Sequence, residues 1–201
     1  MRLLLRIISY VLHPLFIPFA GTMAYFLITP KYTPLAVQSG NILPIFILTI
    51  IIPIICFLIM RNLGIMRSIF VPNIKERKYT LYISMGLLLM VLLKVIPNNF
   101  TIELHYYFLG LLAATFSALV LLFFNFKCSM HLLGMGSLLM YLISLSIHFE
   151  VNITIAISIV TLLCGLTATS RLYLNAHSKA EVIIGFFIGF LTQLFTLKFW
   201  L

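Results

Sequence analysis

The sequence predicts an all-α membrane protein, a polytopic bundle of six to seven transmembrane helices that forms a single integral membrane domain over residues 1–201. Of the 201 residues, 63% are hydrophobic and only 8% are charged, and the mean hydropathy is +1.18. A soluble domain could not cover its surface with so few polar side chains. Apolar runs of about 18 residues or more match the hydrocarbon core when they are helical. Strand-like alternation is absent from these runs, which leaves helices.

Seven apolar runs give the predicted elements in order. The segment before the first run, residues 1–9, carries Arg2 and Arg6 at helical spacing beside leucine and isoleucine. This pattern predicts an interfacial helix that ends where the chain turns into the membrane at His13-Pro14. The predicted spans are 10–29, 42–60, 80–96, 105–124, 131–148, 152–169 and 181–199.

Basic residues are distributed unequally between the two ends of these spans. Three lie at one end, called here the opposite face: Lys31, Lys94 and Lys198. The other end, the basic face, carries ten, and the positive-inside rule favours its being cytoplasmic. Basic residues that hold an anion would bias this count, so sidedness stays open. The ten are Arg2, Arg6, Arg61, Arg67, Lys75, Arg77, Lys78, Lys127, Arg171 and Lys179.

The basic face also gathers three polar clusters, residues 67–80, 127–131 and 170–181. Two spans separate each cluster from the next, so a bundle can bring all three together. Guanidinium groups, a serine hydroxyl and helix N-termini suit a phosphate group. Two histidines, His131 and His177, suggest reaction as well as binding, because phosphoryl transfer can use one imidazole as nucleophile and another as acid.

The third cluster has a specific spacing. Ser170-Arg171 is followed after five residues by His177 and after three more by Glu181. It resembles the third motif of the type 2 phosphatidic acid phosphatase superfamily, a Ser-Arg pair, five residues, a histidine, three residues and an aspartate. Glutamate replaces the aspartate here, in a chain that contains no Asp.

The other two motifs of that superfamily are degenerate in this chain. Cys128-Ser129-Met130-His131 is similar to Pro-Ser-Gly-His and keeps the serine and the histidine. The first motif, a lysine followed after six residues by Arg-Pro, has no close counterpart. Lys75 and Arg77 lie in the corresponding connection. The resemblance is therefore carried by the phosphatase-like region 127–181.

The resemblance implies a helical bundle with metal-independent catalysis, without a cofactor, on a membrane lipid phosphate or polyprenyl diphosphate. It implies His177 as the nucleophile, Glu181 as its orienting base and His131 as the general acid. It also implies the bilayer of a bacterial inner membrane as the setting, where many members act on the outer side. The implied phosphate ligands are Arg171 and Ser129, and we expect Lys75 and Arg77 to join them.

Alternative interpretations exist for the same residues. Ser178 and Glu181 form a capping box at a helix start, which by itself would explain the glutamate. His177 and Glu181 could share a metal ion, but a third ligand beyond His131 is not apparent. The basic residues lie at span ends, which favours lipid headgroups and argues against nucleic acid. A degenerate family member that binds lipid or serves as a structural membrane subunit, without turnover, is the competing function.

Overall fold

The structure, a computed structural model, describes residues 2–66, 73–97 and 101–201. Within these ranges every regular element is helical and no strand occurs, which confirms the predicted all-α class. Seven helical stretches are long and apolar enough to span a membrane. They are Arg2–Ile28, Leu35–Asn62, Ile74–Val95, Ile102–Phe123, Met130–His148, Thr154–Tyr173 and Lys179–Leu197.

Nine α-helices build these stretches, because two of the stretches contain more than one helix. The second stretch passes from α3 to α4 through π-helical residues Ile47–Ile51, with Pro44 and Pro53 on either side. Proline lacks the N–H that a regular helix needs, so the hydrogen-bond pattern changes there. The helices are α1 Arg2–Val11, α2 Ile17–Ile28, α3 Leu35–Phe46, α4 Ile52–Asn62, α5 Ile74–Met90, α6 Ile102–Phe123, α7 Met130–His148, α8 Thr154–Tyr173 and α9 Lys179–Leu197.

The N-terminal helix α1 is separated from α2 at the predicted position, His13-Pro14. His13 has extended backbone angles, and its Nδ1 accepts the N–H of Leu15 at 3.3 Å. A short 3₁₀ turn, Pro14–Phe16, then leads into α2. Leu5 and Ser9 of α1 are buried, and the helix packs against α8. That residues 1–9 lie in the membrane interface stays a prediction.

Two helices extend further into the polar clusters than the apolar runs predict. The side chain of Asn73 accepts the N–H of Lys75 at 3.1 Å, so α5 begins at Ile74 rather than near residue 80. The helix α8 continues to Tyr173 and includes Arg171. A capping side chain and continued backbone bonding extend a helix past its apolar part. Residues 67–72 of the first cluster, with Arg67, lie outside the described residues.

The close packing of α7 against α9 fixes the frame of the bundle. A Cβ atom at Gly185 would lie 2.6 Å from the carbonyl oxygen of Ser129, and one at Gly189 would overlap the carbonyl of Leu133. Glycines four residues apart allow two transmembrane helices to approach closely. The backbone N–H of Ser129 donates to the carbonyl of Glu181 at 2.9 Å. The starts of α7 and α9 are therefore held together directly.

Candidate active site

A cavity of about 660 Å³ brings residues from all three polar clusters together. Four of the predicted site residues line it: Arg77 of α5, His131 of α7, Arg171 of α8, and His177 between α8 and α9. The remaining lining is mainly apolar and comes from α1, the 3₁₀ turn, α2, the π-helical residues Ile47–Ile51 and helices α4–α7. The cavity is therefore lined by basic side chains at one end and by apolar side chains elsewhere.

The side chains of His177 and Glu181 form a hydrogen-bonded pair. Nδ1 of His177 lies 2.7 Å from Oε2 of Glu181. The same carboxylate oxygen accepts the N–H of Ser178 at 3.2 Å, while the Ser178 hydroxyl accepts the N–H of Glu181 at 3.3 Å. The capping box and the histidine contact thus coexist. Because an ionised carboxylate only accepts, Nδ1 carries the proton and Nε2 keeps its lone pair.

His177 is held in its neutral form by its surroundings. The pKa of His177 is lowered from 6.5 to about 4, mainly by burial and also by the charges of Arg77 and Arg171, although the hydrogen bond to Glu181 acts in the opposite direction. A histidine with a low pKa is unprotonated at neutral pH. Its Nε2 lone pair is then available for attack on an electrophile.

His131 is tied to the N-terminal helix through one ring nitrogen. Its Nε2 lies 3.1 Å from the backbone carbonyl of Ser9. A carbonyl can only accept, so Nε2 is the donor and Nδ1 is the nitrogen that can exchange a proton with a ligand. The ring of His13 stands edge-on to that of His131, with 5.2 Å between centroids.

The two buried arginines of the cavity bond to neutral acceptors. Nη2 of Arg77 donates to the carbonyl of Cys128 at 2.9 Å. Nη1 of Arg171 donates to the hydroxyl of Ser9 at 3.3 Å. A neutral acceptor orients a guanidinium without cancelling its charge.

Two predicted phosphate ligands lie elsewhere. Ser129 is fully buried at the N-cap of α7, is not among the residues that line the cavity, and has a hydroxyl without a hydrogen-bond partner among the described residues. Its backbone N–H donates to the backbone carbonyl of Glu181. Lys75 is exposed on the first turn of α5 and also does not line the cavity. The cavity thus contains Arg77 from this connection but not Lys75.

Three residues near the cavity carry no motif in the sequence. Arg61, at the end of α4, and His13 line the cavity, and Ser9 bonds to two of the predicted site residues. From the sequence, Arg61 could be identified only as one of the basic-face residues, and His13 only as the residue before Pro14. Ser9 and Arg171 are 162 positions apart, so no local pattern connects them.

A second buried polar cluster lies on the opposite face. Glu103 is fully buried and forms an ion pair with Lys31, and its Oε1 lies 3.4 Å from Nε2 of His148. The hydroxyl of Tyr25 donates to the other carboxylate oxygen at 3.2 Å. These contacts join the ends of α2, α6 and α7. We call these four residues the Glu103 cluster.

In the described part of the chain, no group of three or more His, Cys, Asp or Glu side chains is arranged to hold a metal ion. His177 and Glu181 bond to each other instead.

Comparisons with family models, with curated proteins and with solved structures were made for the whole chain. None of the three finds a match.

Proposed function

We propose that the protein is a membrane lipid phosphatase that works through a phosphohistidine intermediate and resembles the type 2 phosphatidic acid phosphatases. The observation that carries the proposal is the pairing of Glu181 with His177, which lines the same cavity as Arg77, Arg171 and His131. A buried imidazole oriented by a carboxylate is the arrangement of an activated nucleophile. Two arginines beside it suit the charge of a transferring phosphoryl group.

The reaction divides into two steps that balance. Nε2 of His177 attacks phosphorus, the P–O bond to the lipid breaks, and His131, protonated on both ring nitrogens at this stage, gives its Nδ1 proton to the leaving oxygen. Water then attacks the phosphohistidine, His131 takes the proton from that water, and the N–P bond breaks. The products are the lipid alcohol, or lipid monophosphate from a diphosphate, and inorganic phosphate. Arg77 and Arg171 stabilise the added negative charge in both transition states.

The cavity lining supports a lipid as substrate. Beyond the arginines and histidines, the wall is formed by side chains such as Ile54, Phe57 and Leu87 of α4 and α5. A volume of about 660 Å³ falls within the range of pockets that bind small molecules. We propose that the phosphate lies at the basic face and the tail along the apolar wall. Phosphatidic acid, phosphatidylglycerol phosphate, polyprenyl diphosphates and lipid A phosphates are the classes to test, in the cytoplasmic membrane of a bacterium.

Purified protein in detergent micelles tests the proposal. Phosphate release is measured on a panel of those four lipid classes, for the wild type and for His177→Ala and His131→Ala. We expect turnover by the wild type, loss of at least about a thousandfold in His177→Ala, and a smaller loss in His131→Ala, since a general acid contributes about a hundredfold or more. His105→Ala, a histidine on the opposite face, is the matched control.

Unchanged release in His177→Ala would refute the mechanism. Phosphate binding by the wild type without release from any substrate would instead support the competing function, a lipid-binding membrane protein. A cysteine introduced near Lys75 and labelled in intact cells decides which side of the membrane the basic face occupies.

A further inference from the structure

Ser9 of the N-terminal helix lies at the junction of the candidate site, although it belongs to no motif. Its side chain is almost fully buried. The hydroxyl contacts Ser170 at 2.7 Å and Arg171 at 3.3 Å, and the carbonyl contacts His131 at 3.1 Å. One residue of α1 thereby bonds to α7 and α8 at the same time.

The direction of these hydrogen bonds follows from the groups involved. The hydroxyl of Ser170 lies 2.7 Å from the carbonyl of Leu5, which can only accept, so Ser170 donates there. Ser170 has no second proton, and Ser9 must therefore donate to Ser170. The lone pairs of the Ser9 hydroxyl are left to accept from Arg171. The series of hydrogen bonds runs from Arg171 through the hydroxyls of Ser9 and Ser170 to the backbone carbonyl of Leu5.

The carbonyl of Ser9 has a separate effect on His131. Because it accepts the proton of Nε2, it fixes the imidazole tautomer and leaves Nδ1 for proton exchange in the cavity. A histidine without such a partner can adopt either tautomer, and only one presents the required nitrogen. Ser9 therefore acts on the predicted acid through its backbone and on a predicted phosphate ligand through its side chain.

We propose that Ser9 is a positioning residue of the active site and that α1 belongs to the catalytic apparatus. This inference rests on the proposed function, since it assigns Ser9 a role through Arg171 and His131. Ser9 does not touch the phosphate. It sets the guanidinium of Arg171 by accepting a hydrogen bond and selects the tautomer of His131.

A purely structural role would have a different signature. If Ser9 only joined α1 to α8, its replacement would lower the free energy of unfolding and leave the folded fraction with normal affinity for phosphate. If Ser9 positions Arg171, folded protein would bind phosphate more weakly. Inhibition of lipid hydrolysis by inorganic phosphate measures that affinity, and phosphorus NMR titration of inorganic phosphate measures it without turnover.

Ser9→Ala removes the hydroxyl and keeps the carbonyl. We expect KM and the inhibition constant for inorganic phosphate to rise together by about tenfold, the effect of one hydrogen bond to a charged group. The alkaline limb of the pH profile, which reports loss of the proton from the general acid, should stay unchanged because the contact of His131 with the Ser9 carbonyl remains. Ser9→Thr restores the hydroxyl and should return both constants to within about twofold of the wild type. Ser144→Ala is the control, since the hydroxyl of that buried serine donates within α7, to the carbonyl of Met140.

A double-mutant cycle with Arg171→Ala tests whether Ser9 affects phosphate affinity through Arg171. The effect of Ser9→Ala on phosphate affinity should disappear when Arg171 is already absent, because the two residues act as a unit. Additive effects would overturn the inference. If Ser9→Ala does not fold, Ser9→Cys takes its place in the cycle, with a weaker hydrogen-bonding group of similar size.

The outcomes separate the two proposals. Wild-type turnover with unchanged phosphate constants in Ser9→Ala refutes the role of Ser9 and leaves the phosphatase intact. Phosphate binding without turnover, weakened by Ser9→Ala and restored by Ser9→Thr, supports positioning and refutes catalysis. Absence of both turnover and phosphate binding in the wild type overturns both.

Discussion

At the basic face, Arg77 and Arg171 bond to a carbonyl and a hydroxyl beside a cavity. On the opposite face, the carboxylate of Glu103 bonds to Lys31, His148 and Tyr25 and is fully buried. Both sets of charges lie at the ends of the same bundle. The guanidinium hydrogen bonds go to uncharged oxygens, whereas the carboxylate of Glu103 is paired with a cation, Lys31.

The two faces differ in the partners of their buried charges. Burial of charge is costly unless partners compensate it, and the Glu103 cluster supplies those partners internally. At the basic face, a phosphate would supply part of the compensation. We therefore expect substitutions at the basic face to change turnover and substitutions in the Glu103 cluster to change stability.

Glu181→Gln should have the largest effect, on the basic face. The amide can still accept the N–H of Ser178, but it lacks the charge that would stabilise the positive charge His177 gains when its Nε2 is phosphorylated. We expect turnover to fall about a thousandfold with little change in the unfolding temperature. Ser178→Ala is the matched variant, with about 1 kcal/mol lost in stability and turnover retained. Equal loss of stability in both variants would mean that Glu181 only caps α9.

Gly185→Ala should disrupt the packing of α9 against α7 at the basic face. The new Cβ would lie 2.6 Å from the carbonyl of Ser129, so α7 and α9 must separate at their starts. We expect a loss of about 3 kcal/mol in the free energy of unfolding, at the upper end for overpacking, together with reduced turnover. Gly86→Ala on α5 is the control, because its Cβ would meet no atom within 4 Å. Similar stability of both variants would contradict the close packing.

Glu103→Gln should act on stability alone. Removing the carboxylate charge leaves Lys31 and His148 with a weaker partner, and the half-exposed position of Lys31 screens part of the interaction. We expect a loss of about 1–2 kcal/mol, below the value for a fully buried pair. Phosphate release per folded molecule should be unchanged. Glu150→Gln, an exposed carboxylate on the same face, controls for charge. A fall in turnover would show that the two ends are coupled.

The pH dependence should show the smallest change in rate. Because the pKa of His177 lies below 6.5, near 4, the nucleophile stays neutral at moderately acid pH. We expect the contribution of His177 to kcat to change less than twofold between pH 7 and pH 5.5, where an unshifted histidine would lose about tenfold. The free energy of unfolding also depends on the protonation of His177. The neutral form is favoured in the folded state, so stability is full above pH 6.5 and is lost as pH falls towards 4. An activity loss centred at pH 6.5 in wild type and Glu181→Gln alike would contradict this pKa.

Much of the fold follows from local properties of the sequence. The seven spans follow from apolar length, and the break after α1 follows from His13-Pro14. Boundaries were less predictable where a side chain caps a helix beyond its apolar part, as Asn73 does for α5. The glycines of α9 carry a recognisable four-residue spacing, but their partner on α7 depends on packing.

Part of the candidate site was also predictable, because some of its residues are close together in the sequence. Arg171, His177 and Glu181 lie within eleven residues, and their spacing on a helix end predicts their proximity. The choice of Arg77 rather than Lys75 depends on which side of α5 faces the bundle.

The sequence by itself determined the membrane bundle and the paired histidine and glutamate, because apolar length and an i, i+4 relation act over short distances along the chain. Only the tertiary structure decided that Ser9 joins His131 and Arg171 and that Glu103 meets Lys31 and His148. Those contacts link residues far apart in sequence. They depend on how complete helices pack, and close packing selects them after the helices have formed.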